Sequence, residues 1–464
     1  MLCDLLFDGS LLLLLAALGA LLTRIILLDV DQPTLVLLAF PLGAGIFTLA
    51  LFLASWIGVP IRPITVYSIL LLLLGAAALL AHKTQASRPL RLDRQNEGPE
   101  QACTARITPY LIAAGWLILS MILSIGRAYS SWDAAAIWSV KGYGIASEGT
   151  IFAGATWGAH GLSYPLNIPL LIAAFDVLGG DLLPGSKIIF PLFYGSLLLG
   201  CVALWRKFGV PHSLLILGAL LVASVPVIFE HSTMGYANLP FSTYLLLACI
   251  MTIEGNVNSD SGQQLMGGVL FGLAAWTRPE GVFLVPLLML TMVIFSWVSQ
   301  RRMPRLIPWL LPAGLIIGFW ILFSSRQASS SQFSLGMQRA MQALIEGDFP
   351  WHVLPKILLA FVKHALALNV WGILFPTSLL ALLFNVRKSH PAHNPAVFLL
   401  LSVTAATFAA MMLFFVIVPF VGDLGMWIET GMDRMFMPVG LFTAAWAVLL
   451  LGNRSTPTER CATD

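Results

Sequence analysis

Long apolar stretches recur along nearly the whole chain, and the polar residues gather between them. They fall at 10–28, 35–57, 62–81, 107–125, 187–205, 213–230, 237–254, 264–276, 281–298, 306–325, 370–385, 396–420 and 434–451. A spanning helix needs roughly 20 apolar residues, and most of these segments come close to that length. Lipid offers no partner to an unpaired backbone group, and unbroken apolar runs of this length satisfy theirs as helices. The pattern predicts an all-α integral membrane protein, a polytopic helix bundle with loops and juxtamembrane helices at its outer face.

One polar stretch stands apart. Residues 127–165 concentrate Asp133, Lys141, Glu148 and His160 among aromatic side chains and end at Tyr164-Pro165. Structured loops this long are commonly functional. Sidedness follows from the basic residues. Lys83, Arg88, Arg91, Arg94 and Arg106 lie in 83–106, which the positive-inside rule makes cytoplasmic. The 107–125 segment then delivers 127–165 to the far side. The segment 166–180 is short and holds Asp176, so it reads as a juxtamembrane helix on the outer face. That choice sends Arg206-Lys207, Arg301-Arg302, Arg387-Lys388 and the tail to the cytoplasm.

The same topology collects four polar clusters outside. They are the 127–165 loop, Glu230-His231 with Tyr236 and Asn238, the Arg278-Glu280 turn, and a late loop with Asp423, Glu429, Asp433 and Arg434. Residues 326–369 form a second outer region with a partly amphipathic stretch. The chain divides into N-terminal helices and a cytoplasmic loop (1–106), a transmembrane catalytic region (107–451) and a cytoplasmic tail (452–464).

Composition agrees. Hydrophobic residues make up 58% of the 464 residues and charged ones 10%, against about 25% charged in ordinary globular chains. Mean hydropathy is +0.88. The net charge of +3 and the lack of a basic run interleaved with aromatics exclude nucleic acid as the expected partner; membrane lipids take its place. The five cysteines form no CxxC pair, so neither a metal framework nor a disulfide framework is expected. Asp4 and Asp8 occupy the positions where a signal peptide carries basic residues, so the first segment reads as a retained helix.

Candidate chemistry follows from the outer clusters, because ionisable groups at membrane helix ends are costly unless wet, paired or functional. Ser130 or Ser131 is positioned to cap a helix over about 132–146 with Asp133 in its first turn. The helix dipole there favours an ionised carboxylate, which either serves the cap or takes a proton from a hydroxyl nucleophile. Lys141, about 12 Å further along a helix, either snorkels to headgroups or meets a phosphate. Arg278 sits between two apolar segments before a helix-breaking proline. It presents its planar donor fork to a phosphate or pairs with Glu280. His160 and Tyr164 border the loop's exit; a lone histidine among aromatics is more often structural than catalytic. Trp132, Trp138 and Trp157 read as interfacial anchors first and sugar-stacking platforms second. Asp433-Arg434 reads as an ion pair at a helix start. Asp29-x-Asp31 has the form of a metal-binding DxD, but it lies in a turn between two helices and is discounted.

These residues resemble the GT-C superfamily of polytopic glycosyltransferases, which includes protein mannosyltransferases, the lipid A aminoarabinose transferase and the RgtA/B/C/D-like proteins. The similar features are Trp132-Asp133-Ala134 after a membrane helix, Tyr164-Pro165, the Gly272–Gly281 turn, and Thr430-x-x-Asp433-Arg434-x-x-x-Pro438. The resemblance covers 107–451. It implies a GT-C-like bundle and a lipid-phosphate-linked sugar as donor, on polyprenol in bacteria or dolichol in eukaryotes. It also implies inverting transfer to a lipid, glycan or protein hydroxyl on the outer (periplasmic or luminal) face, with a bacterial inner membrane the expected location. By the same resemblance Asp133 matches the general base, Arg278 the residue near the donor phosphate and Lys141, more loosely, a phosphate contact. The implied substrate-binding set is Lys141, Arg278, Glu280, His160, Tyr164, Trp138 and Arg434. The chain departs from the pattern in having three apolar segments before the catalytic helix and no clear second acid beside Asp133; Glu148 and Asp176 are the nearest candidates. The resemblance fixes no cofactor and leaves a divalent metal as an open candidate. The rival readings are an O-antigen ligase or polymerase, which would use an Arg/His-rich late outer loop, and a transporter or flippase.

Overall fold

The computed structural model describes residues 2–27, 29–86, 103–129, 131–179, 185–300, 305–327, 332–385 and 395–452. Among them every regular element is helical. In chain order the α-helices begin with α1 (Leu2–Ile26), α2 (Gln32–Trp56), α3 (Pro63–Ala86) and α4 (Cys103–Ile125). Then come α5 (Val140–Glu148), α6 (Asn167–Gly179), α7 (Ile189–Lys207), α8 (His212–Ala223), α9 (Pro226–Met234) and α10 (Asn238–Asn258). Next are α11 (Ser261–Ala275), α12 (Gly281–Gln300), α13 (Leu306–Gln327), α14 (Gln332–Glu346) and α15 (Leu354–Ala365). The last are α16 (Leu368–Trp371), α17 (Leu374–Asn385), α18 (Pro395–Ile417), α19 (Leu424–Met435) and α20 (Met437–Gly452). Among the described residues nine helical stretches are long and apolar enough to cross a membrane. The protein is an all-α polytopic membrane protein.

The chain forms two compact units. One holds Met1–Gly200, Glu230–Val285 and Arg305–Ser331; the other holds Cys201–Phe229, Pro286–Pro304 and Gln332–Asp464. α1 to α3 belong to the same unit as the 127–165 loop.

In the first unit close helix crossings depend on missing side chains. A Cβ on Gly19 of α1 would lie 1.8 Å from the Ala39 carbonyl oxygen of α2, and one on Gly43 would lie 1.8 Å from that of Leu15. Small residues let backbones meet where lipid gives no hydrophobic drive between helices. Gly268 of α11 does the same under α13, where a Cβ would sit 2.1 Å from the Trp309 carbonyl oxygen. Phe52, Trp276, Trp320 and Phe323 fill the space beside this crossing, with Phe52–Trp276 centroids 4.9 Å apart.

Burial and bending distinguish three parts of the predicted pattern. The segment 166–180 forms α6, which is buried along nearly its whole length against α1, α2 and α5. Thirteen residues reach only about 20 Å, too short to span, and its apolar surface is covered by protein instead. The segment 213–230 is a bent pair of helices. It breaks by 56° between α8 and α9, where Pro226 at the first position of α9 ends the preceding helix. The segments 237–254 and 264–276 form α10 and α11, which pack on each other and are buried almost throughout. A helix enclosed by protein tolerates Asn238, Thr252 and Glu254 on its surface, and these lower its hydropathy.

In the second unit α20 is the central element, packed by α8, α17 and α18. The Trp205 indole N–H donates to the Ala445 carbonyl at 3.0 Å. The amphipathic stretch in 326–369 resolves into α14 and α15.

Candidate functional site

The loop between α4 and α6 builds the site in the first unit. Its helix starts at Trp132 and runs as a π-helical turn from Ala134 to Ser139 before continuing as α5. Single π turns are frequent at functional sites because they re-aim side chains within a helix. Asp133 stands in the first turn, as the sequence suggests, and is 7% exposed. The capping expectation fails for Ser131, whose buried hydroxyl has no hydrogen-bond partner; Ser130 lies outside the described residues.

The segment that follows is backbone-strained. Gly158, His160 and Gly161 have φ of 81°, 65° and 47°, and His160 adopts this left-handed conformation although it has a side chain. Three contacts hold it. The Ala159 N–H donates to the Ala136 carbonyl at 2.7 Å. The Lys141 ammonium donates to the carbonyls of Gly161 and Ala159, at 2.5 and 3.4 Å. Lys141 therefore does not snorkel: it is fully buried, its Nζ lies 5.9 Å from the Tyr164 ring centroid, and burial lowers its pKa to about 8.

The strain presents His160 flat on Tyr164, with ring centroids 4.6 Å apart and planes 17° from parallel. Trp132, exposed beside Asp133, meets the His160 ring edge-on. Trp138 is not an interfacial anchor: it is fully buried and packs on Tyr164 at 5.8 Å. Burial lowers the His160 pKa, the Lys141 charge lowers it further, and the Asp133 carboxylate opposes them. The imidazole is held below its usual range and is neutral at neutral pH.

Arg278 reaches the same neighbourhood from the turn between α11 and α12. It is 4% exposed and bound on two edges. Its Nε and one terminal nitrogen donate to the two Glu280 carboxylate oxygens at 3.0 and 2.7 Å. Its other terminal nitrogen donates to the Asn238 side-chain oxygen. Burial opposes the guanidinium charge, but Glu280 more than offsets this, and Tyr164 and Asp133 add to it. The ion pair with Glu280 is thus formed. Asp133, Lys141, Trp138, His160, Tyr164, Arg278 and Glu280 come together in one unit.

Arg434 belongs to the other unit, on α19. Its neighbour Asp433 lies near the end of α19, not at a helix start, and its Oδ1 lies 2.5 Å from Nδ1 of His364. Glu148, a candidate second acid, accepts from the Trp157 indole N–H. Asp31 accepts from the Thr34 backbone N–H at 2.9 Å and caps α2, which accounts for the DxD-like pair. Among the described residues no three His, Cys, Asp or Glu side chains gather as a metal-ion site.

Sequence reasoning overlooked the support beneath the turn. The Trp276 indole donates to Thr48 Oγ1 at 3.1 Å, and Thr48 donates to the Asn167 side-chain oxygen at 2.7 Å. The Asn167 amide donates to Thr277 Oγ1 at 2.8 Å, and Thr277 donates to the Leu273 carbonyl at 2.7 Å. This directed chain ties α2 and α6 to the two residues before Arg278. Single polar residues inside apolar segments gave no signal of it. No family model, curated protein or solved structure matches this chain.

Proposed function

We propose that the protein is a GT-C-like glycosyltransferase that moves a sugar from a polyprenyl-phosphate donor to an acceptor hydroxyl at the outer face of a bacterial inner membrane. One observation carries the reading. A mostly buried carboxylate, Asp133, stands in a helix's first turn within electrostatic range of both a neutral His160 and the Arg278–Glu280 pair. Asp133 takes the acceptor proton as that oxygen attacks the anomeric carbon from the side opposite the phosphate. The lipid phosphate leaves as an anion and needs no general acid.

The geometry changes two roles. Arg278 is engaged by Glu280 and Asn238, so it supplies positive charge to the site rather than an open fork. Lys141 acts through the 158–161 segment that it holds. The experiment is release of free polyprenyl phosphate from a labelled lipid-linked sugar in proteoliposomes. Asp133→Asn should lower release at least a hundredfold with the fold intact; near-normal turnover ends the proposal. A transporter would move the lipid without splitting it.

A second reading draws support from the other unit. A ligase or polymerase was expected to use arginine and histidine late in the chain, and His364 is hydrogen-bonded to Asp433, the neighbour of Arg434. If His364→Asn abolishes transfer while Asp133→Asn spares it, this second reading replaces the first.

A further inference from the structure

α14 and α15 are too short to cross a bilayer, at 15 and 12 residues. Each has three distinct sides. On α14 the small residues Gly336, Ala340 and Ala343 face the protein, and a Cβ on Gly336 would lie 2.4 Å from Val421. The large apolar residues Met337, Met341, Leu344 and Ile345 face outward, Ile345 being 80% exposed. Gln338, Arg339, Gln342 and Glu346 take the remaining side. A helix in an aqueous loop would place its large apolar residues inward; this one does the reverse.

On α15 the rotation is fixed from beneath. Ile357 and Ala365 are buried, α18 and α19 pack against the helix, and His364 is bound to Asp433 of α19. Leu358, Leu359, Val362 and Leu366 are left outward, Leu359 being 72% exposed. At 100° per residue, Lys356 and Lys363 fall together along one border of that stripe, and α15 contains no acid. An outward apolar stripe with a lysine border matches a helix lying in the headgroup layer, with its apolar side in the acyl chains and its ammonium groups at phosphate level.

We propose that α14 and α15 form a lipid-surface docking element. Lys356 and Lys363 engage the phosphates of anionic phospholipids in the leaflet where the helices lie. Charge complementarity selects the occupant: an anionic headgroup layer gains from both lysines, and a neutral one gains little. The proposal does not depend on the transferase reading.

The test is hydrogen–deuterium exchange on the full-length protein in nanodiscs of phosphatidylcholine alone or with phosphatidylglycerol. Backbone amides of 354–366 should exchange more slowly in the anionic discs, by about fivefold for each lysine engaged. The double variant Lys356→Gln/Lys363→Gln should lose that difference while keeping the wild-type melting temperature in detergent. Equal exchange in the two lipids overturns the proposal, as does full retention of the difference in the double variant. The same protection from inorganic phosphate in detergent would reassign the lysines to an ion site. Protection in detergent that tracks a co-purifying protein would reassign the stripe to a protein partner. Either result also overturns it.

Discussion

Glu280 grips Arg278 through two parallel hydrogen bonds, two residues apart in the chain and both almost fully buried. Removing one member of such a pair strands the other charge where water cannot reach it, at about 3–5 kcal/mol. Replacing both with apolar residues of similar size removes that penalty. Glu280→Leu is therefore expected to lower the melting temperature strongly, and Arg278→Met/Glu280→Leu to recover much of the loss. Thermal unfolding in detergent checks it; a double variant worse than Glu280→Leu would show that the buried Asn238 oxygen, left without its Arg278 donor, costs more than the stranded charge.

Lys141 gives a pH signature. Its folded-state pKa of about 8 lies below the 10.5 of an ordinary lysine. Between those values the unfolded chain holds a proton that the folded chain has released, so stability rises with pH across this window. The desolvation cost is fully present below pH 8. Lys141→Met removes the titration. Wild type should gain on the variant by up to about 3 kcal/mol between pH 7.5 and 10.5, read as a widening difference in melting temperature. A difference that stays constant with pH would mean that the ammonium is solvated.

How much of this was legible in the chain varies with the kind of signal. The spans were legible because an apolar run long enough to cross lipid has few other uses. The burial of α6 and α10 was not legible, because hydropathy does not say whether an apolar surface meets lipid or protein. Asp133, His160, Tyr164 and Arg278 were legible as ionisable or aromatic residues at helix ends. The task of Lys141 was not, since its partners are the backbone carbonyls of Gly161 and Ala159, which have no sequence identity. The link between His364 and Asp433 spans 69 positions, and neither residue announces the other.

The crossing of α11 and α13 should be intolerant at one glycine and indifferent at another. Any side chain on Gly268 drives a Cβ to 2.1 Å from the Trp309 carbonyl oxygen, a backbone atom that cannot swing aside. Gly268→Ala is expected to cost about 1–3 kcal/mol through overpacking. Gly314, on α13, has nothing within 4 Å of its would-be Cβ. There the alanine should stabilise by about 0.5–1 kcal/mol through helix propensity. Comparing the two melting temperatures with wild type checks the crossing: equal effects would mean that α13 does not approach α11 at Gly268.

The directed chain Trp276–Thr48–Asn167–Thr277–Leu273 makes the turn that carries Arg278 dependent on a residue of α6. Hydrogen bonds in series polarise one another, so breaking the chain at its centre should affect both ends. Asn167→Leu keeps the volume but removes an acceptor from Thr48 and a donor from Thr277, at about 1–3 kcal/mol. Thr277→Val interrupts the same chain one step later. If the chain acts as a unit, the double variant should lose less than the sum of the singles, with a coupling of about 0.5–3 kcal/mol. A thermal-unfolding cycle on the four proteins measures it. Additivity within about 0.5 kcal/mol would mean that Asn167 and Thr277 stabilise their helices separately and that α6 does not position the Arg278 turn.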